Sequence, residues 1–569
     1  MRIDTSIRVT GAAGQGVHTV GNLIMRMVVG AGYHFHVTQD YMSRIRGGRT
    51  AQGIRIGSDP VRAGREETEI LLAINPDLLP HFLPAVARDG FALADVPSAD
   101  PPLVAAPLGE MAARAGSPIL ANVVGAGAIA FALGIPLETA DSILAADFQG
   151  DYFDKNRTAL RLGAEWARDH LPERIRERFR LPPRVPATRI ILSGNEALAL
   201  GAIAGGCKFA AGYPMTPGTG ILSVLAREGP SVGLVFEQAE DEIAALTMAL
   251  GAAYTGARSL VATSGGGFAL MVEALSLAGM MEIPVVVVLA MRPGPATGMP
   301  TRTEQGDLEF ALSAGHGEFP RLVLSPGSPE EAFDLAQHAM DMAEAFQVPA
   351  IVLTDQYLAD TIVDIDPSSC AVRPVRRHIV RGGSVPGGEP GKVLRYAITE
   401  SGISPMTVPG EAGITVVSDS DEHTEDGHLT EDHATRIRMV EKRLRKGSML
   451  AGRTVPPLVS GPPNGELLLI GFGSTKEVIE ETRQILARDG RTVATVHLRQ
   501  VWPFPADEIT EIVSRFGTVL TVENNAGGQL ARLIRRECGV TVDGTIPRYD
   551  GLPFTPAEAA DAVRTRRGG

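Results

Sequence analysis

Gly212-Tyr213-Pro214-Met215-Thr216-Pro217, then Glu237-Gln238-Ala239-Glu240-Asp241-Glu242, then Ala262-Thr263-Ser264-Gly265-Gly266-Gly267 decide the fold of this chain and point to its chemistry. They are set among apolar strand candidates at 259–263, 284–290, 321–325 and 350–354, separated by Ala-rich helical stretches. That alternation predicts a parallel sheet covered by helices on both faces. In such sheets ligands sit beyond the carboxyl ends of strands, where a glycine-rich turn lets backbone approach closely. The helix after the turn offers free N–H groups and its positive end. Glu242 opens an apolar helix (IAALTMALGAAY) and precedes Gly251 by nine residues. A carboxylate there is placed to be a buried functional acid, its proton affinity tuned by dry surroundings. Glu240, two residues earlier and expected roughly opposite on the same helix, is the competing acid.

Outward from this block the chain reads as α/β throughout, with three α/β domains. Residues 1–180 open with a strand, the turn Gly11-Ala12-Ala13-Gly14-Gln15-Gly16 and a helix. The charged, Pro-rich stretch 173–189 reads as a linker. The block just described spans 190–362. An irregular linker region follows over 363–463, with one charged helical segment near Ala434 to Lys446. The last α/β block, 464–569, has strands in ELLLIGFG, TVATVHLR and TVLTVEN.

Composition narrows the function classes. The 569 residues are 44% hydrophobic but only 5% aromatic, with 64 glycines, as in Gly/Ala/Val-rich α/β proteins. A formal net charge of −13 argues against nucleic-acid binding. No apolar run reaches the length of a membrane span, and the N-terminus goes straight into a strand without a signal-peptide core, so a cytoplasmic location is expected. Cys207, Cys370 and Cys538 are far apart with no CxxC pair. Three scattered thiols cannot hold a four-thiolate iron–sulfur cluster, and they are expected to be free and buried.

Tyr213-Pro214-Met215-Thr216-Pro217 resembles the Tyr-Pro-Ile-Thr-Pro motif of the 2-oxoacid:ferredoxin oxidoreductases, with Met in place of Ile. The runs Arg292–Gly298, Pro300–Asp307 and Gly315–Arg321, with Ser420–His423 and Gly427–Glu431, are similar to that family's 2-oxoglutarate branch. The N-terminal block resembles its gamma domain, fused ahead of a thiamine-diphosphate pyrimidine-binding domain. The last block, with Glu523-Asn524-Asn525 and Gly528-Gln529, resembles a transketolase-C-terminal-like domain. The resemblance implies an alpha subunit that binds thiamine diphosphate, with Glu242 on N1′ of the pyrimidine and Tyr213, Pro214, Glu240, Ser264, Gly265 and Gly266 around the cofactor. Thr216 would hydrogen-bond the 2-oxoacid, and Arg292, 50 residues after Glu242, would pair with its C1 carboxylate. Arg302 would bind the far carboxylate of a dicarboxylic substrate. His316 and Arg46 are weaker substrate candidates. No Gly-Asp-Gly followed by Asn is present, so the diphosphate, Mg²⁺ and a [4Fe-4S] cluster are expected on a separate beta subunit. Ferredoxin would take the electrons and coenzyme A the acyl group, in a dimer of heterodimers. 2-Oxoglutarate is the expected substrate; pyruvate, branched-chain and aryl oxoacids are the alternatives.

Other readings stay open. The Gly11–Gly16 turn is either a tight strand-to-helix turn or a nucleotide-moiety site, toward coenzyme A. Ser43–Arg49 is either a ligand-facing basic loop or a solvated one. His423, His428 and His433 are spaced by five, which matches no zinc pattern, and a hydrogen-bonded linker is expected there. Glu523–Asn525 is either a structural turn or a contact to an interdomain groove. A non-oxidative thiamine-diphosphate enzyme and a non-catalytic binding subunit are the more distant alternatives.

Overall fold

The computed structural model describes residues 2–43, 48–98, 100–380, 393–410 and 415–566. The chain forms two compact units, Met1–Leu192 with Thr361–Pro367, and Ser193–Asp360 with Ser368–Gly569.

In the first unit, strand Asp4–Ala12 runs into helix Val17–Gly30 through a turn whose Gly16 has φ 73°, in the left-handed region that favours glycine. The strand is parallel to Thr68–Ala73 and antiparallel to Arg49–Gly57, within an eight-stranded mixed sheet. Helix Ala121–Leu133 is buried along nearly its whole length and packs beside Asp151–His170. The stretch expected as a linker from 173 begins instead with helix Glu173–Phe179. Ile175 and Phe179, four residues apart and so on one helical face, are buried in the core.

In the second unit, a seven-stranded sheet runs Gln500–Trp502, Leu322–Leu324, Pro349–Asp355, Val285–Met291, Arg258–Thr263, Cys207–Gly212, Val235–Gln238. All neighbours are parallel except the first pair. Val285–Met291 is buried at every position, as a strand covered on both faces requires. The antiparallel edge strand Gln500–Trp502 comes from the C-terminal block. That block has its own five-stranded sheet, centred on Gly465–Phe472. One apolar core, including Leu246, Phe268, Val287, Leu468 and Val496, runs through both sheets.

The region after 363 is tied down by buried charge. Helix His433–Ala451, longer than the helical segment expected, presents Lys442 and Lys446 to Glu282 at 2.6 and 2.7 Å, with all three side chains at most 1% exposed. Glu282 and Gln347 follow the C-termini of two helices with φ 49° and 50°, a backbone that Gly usually supplies. Lys446 Nζ also donates to Gln347 O, and Arg395 donates to Gln347 Oε1 and Glu282 O. Burial alone would raise the Glu282 carboxyl, but the two ammonium groups hold it well below the usual carboxylate range. Burial lowers Lys442 to about 8 against the pull of Glu282.

His423 is buried against Tyr396, its Nδ1 within 3.0 Å of Asp421 O, and His428 faces Asp426. Among the described residues no cluster of His, Cys, Asp or Glu is arranged to hold a metal. Of the three thiols only Cys207 is buried, which pushes it up to about 12; Cys370 and Cys538 are partly exposed, contrary to expectation.

Glu282→Ala strands two buried ammonium groups, so it should destabilise the protein by about 3–5 kcal/mol. Urea unfolding measures this, and a loss under about 1 kcal/mol would show that the network is not structural.

Candidate functional site

The site is built where strand Arg258–Thr263 ends and helix Gly265–Met280 begins. Glu242 is the first residue of helix Glu242–Tyr254, whose start is fixed by Asp241: Ala244 N–H donates to Asp241 Oδ1 at 2.7 Å. Glu242 is 3% exposed, and its Oε1 is buried without a hydrogen-bond partner. Burial raises its proton affinity, and the neighbouring Asp241 adds to the rise. A Cβ on Gly267 would stand 2.1 Å from Thr263 Oγ1 and 2.5 Å from Glu242 Oε1. Only a residue without a side chain allows the helix to start this close to the acid. Contrary to the expectation from sequence, Glu240 does not share Glu242's helix; it lies in the preceding loop and is exposed, because the helix starts only after Asp241.

Ser264 is the N-cap residue of Gly265–Met280, fully buried, with an unpartnered Oγ. Gly265 lies against Asp307: a Cβ there would stand 2.6 Å from Asp307 Oδ2, an atom that is buried and unpartnered. Burial pushes the Asp307 carboxyl up to about 6. Gly266 is the least crowded of the three glycines: a Cβ there would meet only Ala296 O, at 3.9 Å.

Two other sequence candidates meet nearby. Arg292, at the end of strand Val285–Met291, donates from Nη1 to Thr216 O at 2.7 Å, and its surroundings lower its proton affinity by burial. The loop carrying Thr216 also reaches the end of strand Arg258–Thr263, since a Cβ on Gly218 would stand 3.1 Å from Thr263 O. Tyr213 and Pro214 on that loop are exposed.

The segment from Met299 to Asp307 is held by the C-terminal block. Gln305 donates from its backbone to Asn524 O at 2.7 Å and accepts from Asn524 N–H on its side chain. Its Nε2 donates to Phe472 O, Asn525 Nδ2 donates to Gln305 O, and Gln529 Nε2 donates to Gly306 O. Thr303 N–H donates to Gly551 O, while the Arg302 side chain packs beside Gly551. Glu523 accepts from Leu530 and Ala531 N–H and so caps helix Gln529–Cys538. The Glu523–Asn525 run is thus both a turn and a contact to the neighbouring block.

His316 is exposed and anchored through its backbone, whose N–H donates to Ser276 Oγ; its ring makes no described contact with Glu242, Ser264 or Asp307. Arg46 lies outside the described residues. No signal in the sequence gives Asp307 a role of its own. Its place in Thr303-Glu304-Gln305-Gly306-Asp307 was visible, but the room that Gly265 makes for it was not.

Gly267→Ala should cost about 1–3 kcal/mol by overpacking Thr263 and Glu242. Gly251→Ala, in open space on the same unit's Glu242–Tyr254 helix, should gain about 0.5–1 kcal/mol. Denaturant midpoints of the two variants measure both; equal effects would contradict the close approach at Gly267.

Known proteins bear on this geometry. The thiamine-diphosphate-binding domain of pyruvate flavodoxin/ferredoxin oxidoreductases matches residues 200–442, which hold all the groups above up to Asp307. The pyruvate ferredoxin/flavodoxin oxidoreductase domain matches 6–166, and core domain II of pyruvate:ferredoxin oxidoreductase matches 465–558. Subunit alpha of 2-oxoacid:ferredoxin oxidoreductase 2 from Aeropyrum pernix is 31% identical over 99% of this chain and 97% of its own. 2-Oxoglutarate oxidoreductase subunit KorA of Mycobacterium tuberculosis is 32% identical over 79% of this chain and 68% of its own. The structure of 2-oxoglutarate:ferredoxin oxidoreductase from Magnetococcus marinus, with 2-oxoglutarate, coenzyme A and succinyl-CoA bound, superposes with a TM-score of 0.90 at 30% identity, covering 99% of each chain. With its three domain matches in order along one polypeptide, this chain belongs to the alpha subunits of the 2-oxoacid:ferredoxin oxidoreductases.

Proposed function

We propose that this alpha subunit works with a beta subunit in the coenzyme-A-dependent oxidative decarboxylation of 2-oxoglutarate to succinyl-CoA and CO₂, or its reverse, with ferredoxin as electron partner. The observation that carries this reading is Glu242, buried with an unpartnered Oε1 at a glycine-lined strand end. A flat heterocycle bearing ring nitrogens suits such a place. It can present one polar edge to Glu242 and Ser264 while the backbone at Gly265 and Gly266 leaves room for it. The thiamine-diphosphate pyrimidine fits these residues. Thiamine diphosphate, when bound, supplies the carbanion chemistry that severs the C1 carboxylate of a 2-oxoacid.

This chain's residues have separable tasks. Glu242 holds a proton at its Oε1 opposite the ring nitrogen, in surroundings that favour its protonated form. Tyr213, Pro214, Ser264, Gly265 and Gly266 line the ring, with exposed Glu240 at the margin. Arg292, oriented by its bond to Thr216 O, takes the C1 carboxylate with its planar fork. The Thr216 hydroxyl serves the oxo group. Arg302, on the segment held by Asn524 and Asn525, takes the far carboxylate of a dicarboxylic acid; Arg46 and His316 are secondary candidates toward substrate. The beta subunit would carry the diphosphate site, Mg²⁺ and a [4Fe-4S] cluster, in a dimer of heterodimers. The ligands of the Magnetococcus marinus relative support 2-oxoglutarate and coenzyme A as substrates. Among the described residues no helix is long and apolar enough to cross a membrane, in keeping with a cytoplasmic enzyme.

The test is coenzyme-A-dependent viologen reduction by the complex of this chain with its beta subunit, across 2-oxoglutarate, pyruvate, branched-chain and aryl oxoacids. 2-Oxoglutarate should give the highest kcat/KM, and Glu242→Gln should lose about 10²–10⁴-fold in kcat. Arg302→Ala should raise KM for 2-oxoglutarate far more than for pyruvate. Wild-type-like turnover by Glu242→Gln would refute the role of the acid, and a preference for a monocarboxylic oxoacid would refute the substrate.

A further inference from the structure

Ser264 and Asp307 both stand where side chains ordinarily close a helix, and neither does so. Ser264 has the extended backbone of an N-cap, φ −120° and ψ 178°, the conformation from which a serine hydroxyl accepts an N–H of the first turn. Ser193, Asp241, Ser328, Asp432 and Thr555 all make that bond on their own helices. Ser264 makes none, although it is fully buried and its Oγ has no other partner. An unused cap forgoes about 1 kcal/mol, and an unpaired buried hydroxyl costs about 1–3 kcal/mol more.

Asp307 precedes the short helix Leu308–Ser313 and makes no cap bond to it. Its carboxyl is laid instead on Gly265, the residue after Ser264, with Oδ2 buried and unpartnered. No described cation pairs with it, and burial is the sole cause of its raised proton affinity. Glu304, whose own carboxyl is raised by burial and by the charge of Asp307, offers it no counter-charge. Neither capping nor ion pairing therefore accounts for this aspartate. Two residues further on, Glu242 Oε1 meets the same helix start at Gly267. Three buried oxygens thus converge on one helix end with hydrogen-bonding capacity that the chain itself does not use.

We propose that Ser264 and Asp307 form a second polar contact for the ring that Glu242 receives, with Asp307 Oδ2 accepting a hydrogen bond from a donor on that ring's edge. This rests on the reading of Glu242 given above. Asp307 is then a positioning residue that sets the orientation of the ring, and the Gln305–Asn524 and Gln529–Gly306 hydrogen bonds are what hold it in place. The C-terminal block thereby acts on the site at one remove.

The experiment is calorimetric titration of thiamine diphosphate, with Mg²⁺, into the cofactor-depleted alpha–beta complex, alongside thermal melting of the same samples. For Asp307→Ala the dissociation constant should rise about ten- to a hundredfold. Its cofactor-free melting temperature should stay level or rise, because an unpaired buried acid has been removed. Asp307→Asn keeps an accepting oxygen and should bind within about threefold of wild type. Ser264→Ala should weaken binding about threefold to tenfold. Binding by Asp307→Ala within twofold of wild type overturns the proposal. So does a fall in melting temperature for both Asp307 variants, which would make the residue a structural brace. If Glu242→Gln is inactive while Asp307→Ala binds normally, only this inference fails. If Glu242→Gln keeps full turnover, the reading of Glu242 fails first.

Discussion

A carboxylate buried with one oxygen unpartnered is the constraint around which the second unit is organised. Burying Glu242 is unfavourable unless its proton affinity rises or a partner arrives, so everything around it must hold it against relaxation. Asp241 fixes where its helix starts. The apolar helix body, with Ala245, Leu246 and Ala249 in the core, anchors that start from behind. Gly267 lets the next helix begin against its carboxyl, and the fully buried strand Arg258–Thr263 fixes where that helix begins. The parallel sheet is thus the device that brings two helix starts and one acid together, at the end where parallel sheets bind ligands.

A second constraint is that the segment carrying Arg302 and Asp307 has little regular structure of its own between strand Val285–Met291 and helix Leu308–Ser313. Its geometry is borrowed from the C-terminal block through hydrogen bonds of Gln305, Asn524, Asn525 and Gln529. This gives a physical reason for the C-terminal block to belong to the same unit: its hydrogen bonds hold a loop that has little regular structure of its own. The Glu282–Lys442–Lys446 network does comparable work for the region after 363. There buried ion pairs secure a helix to two helix C-termini whose left-handed residues are not glycine.

Local signals account for what was legible in the sequence. The strand at 259–263 and the helix beginning at Glu242 were readable because apolar runs and cap residues act over short range, whereas Gly265–Gly267, expected as a turn before a helix, form the first turn of helix Gly265–Met280 itself. The same reasoning misplaced Glu240, because propensity alone does not say that the helix waits for Asp241 as its cap. It also treated 173–189 as a linker, where Ile175 and Phe179 in a charged stretch form a narrow buried face. What could not be read was long-range. Asp307 reaches Gly265 across 42 positions and Lys442 reaches Glu282 across 160, and no local pattern marks either pair. The motif resemblance identified the chemistry, but the clamp on Gln305 and the unused valences of Ser264 and Asp307 exist only in three dimensions.

The most direct test of the central claim is an experimental structure of the alpha–beta complex with thiamine diphosphate bound, at a resolution that places the pyrimidine edge. The account predicts Glu242 Oε1 within about 2.6–3.2 Å of a pyrimidine ring nitrogen, with the Asp241 cap and the Gly267 approach unchanged. A pyrimidine whose ring nitrogen faces Glu240 or solvent, with Glu242 Oε1 still unpartnered, would contradict it.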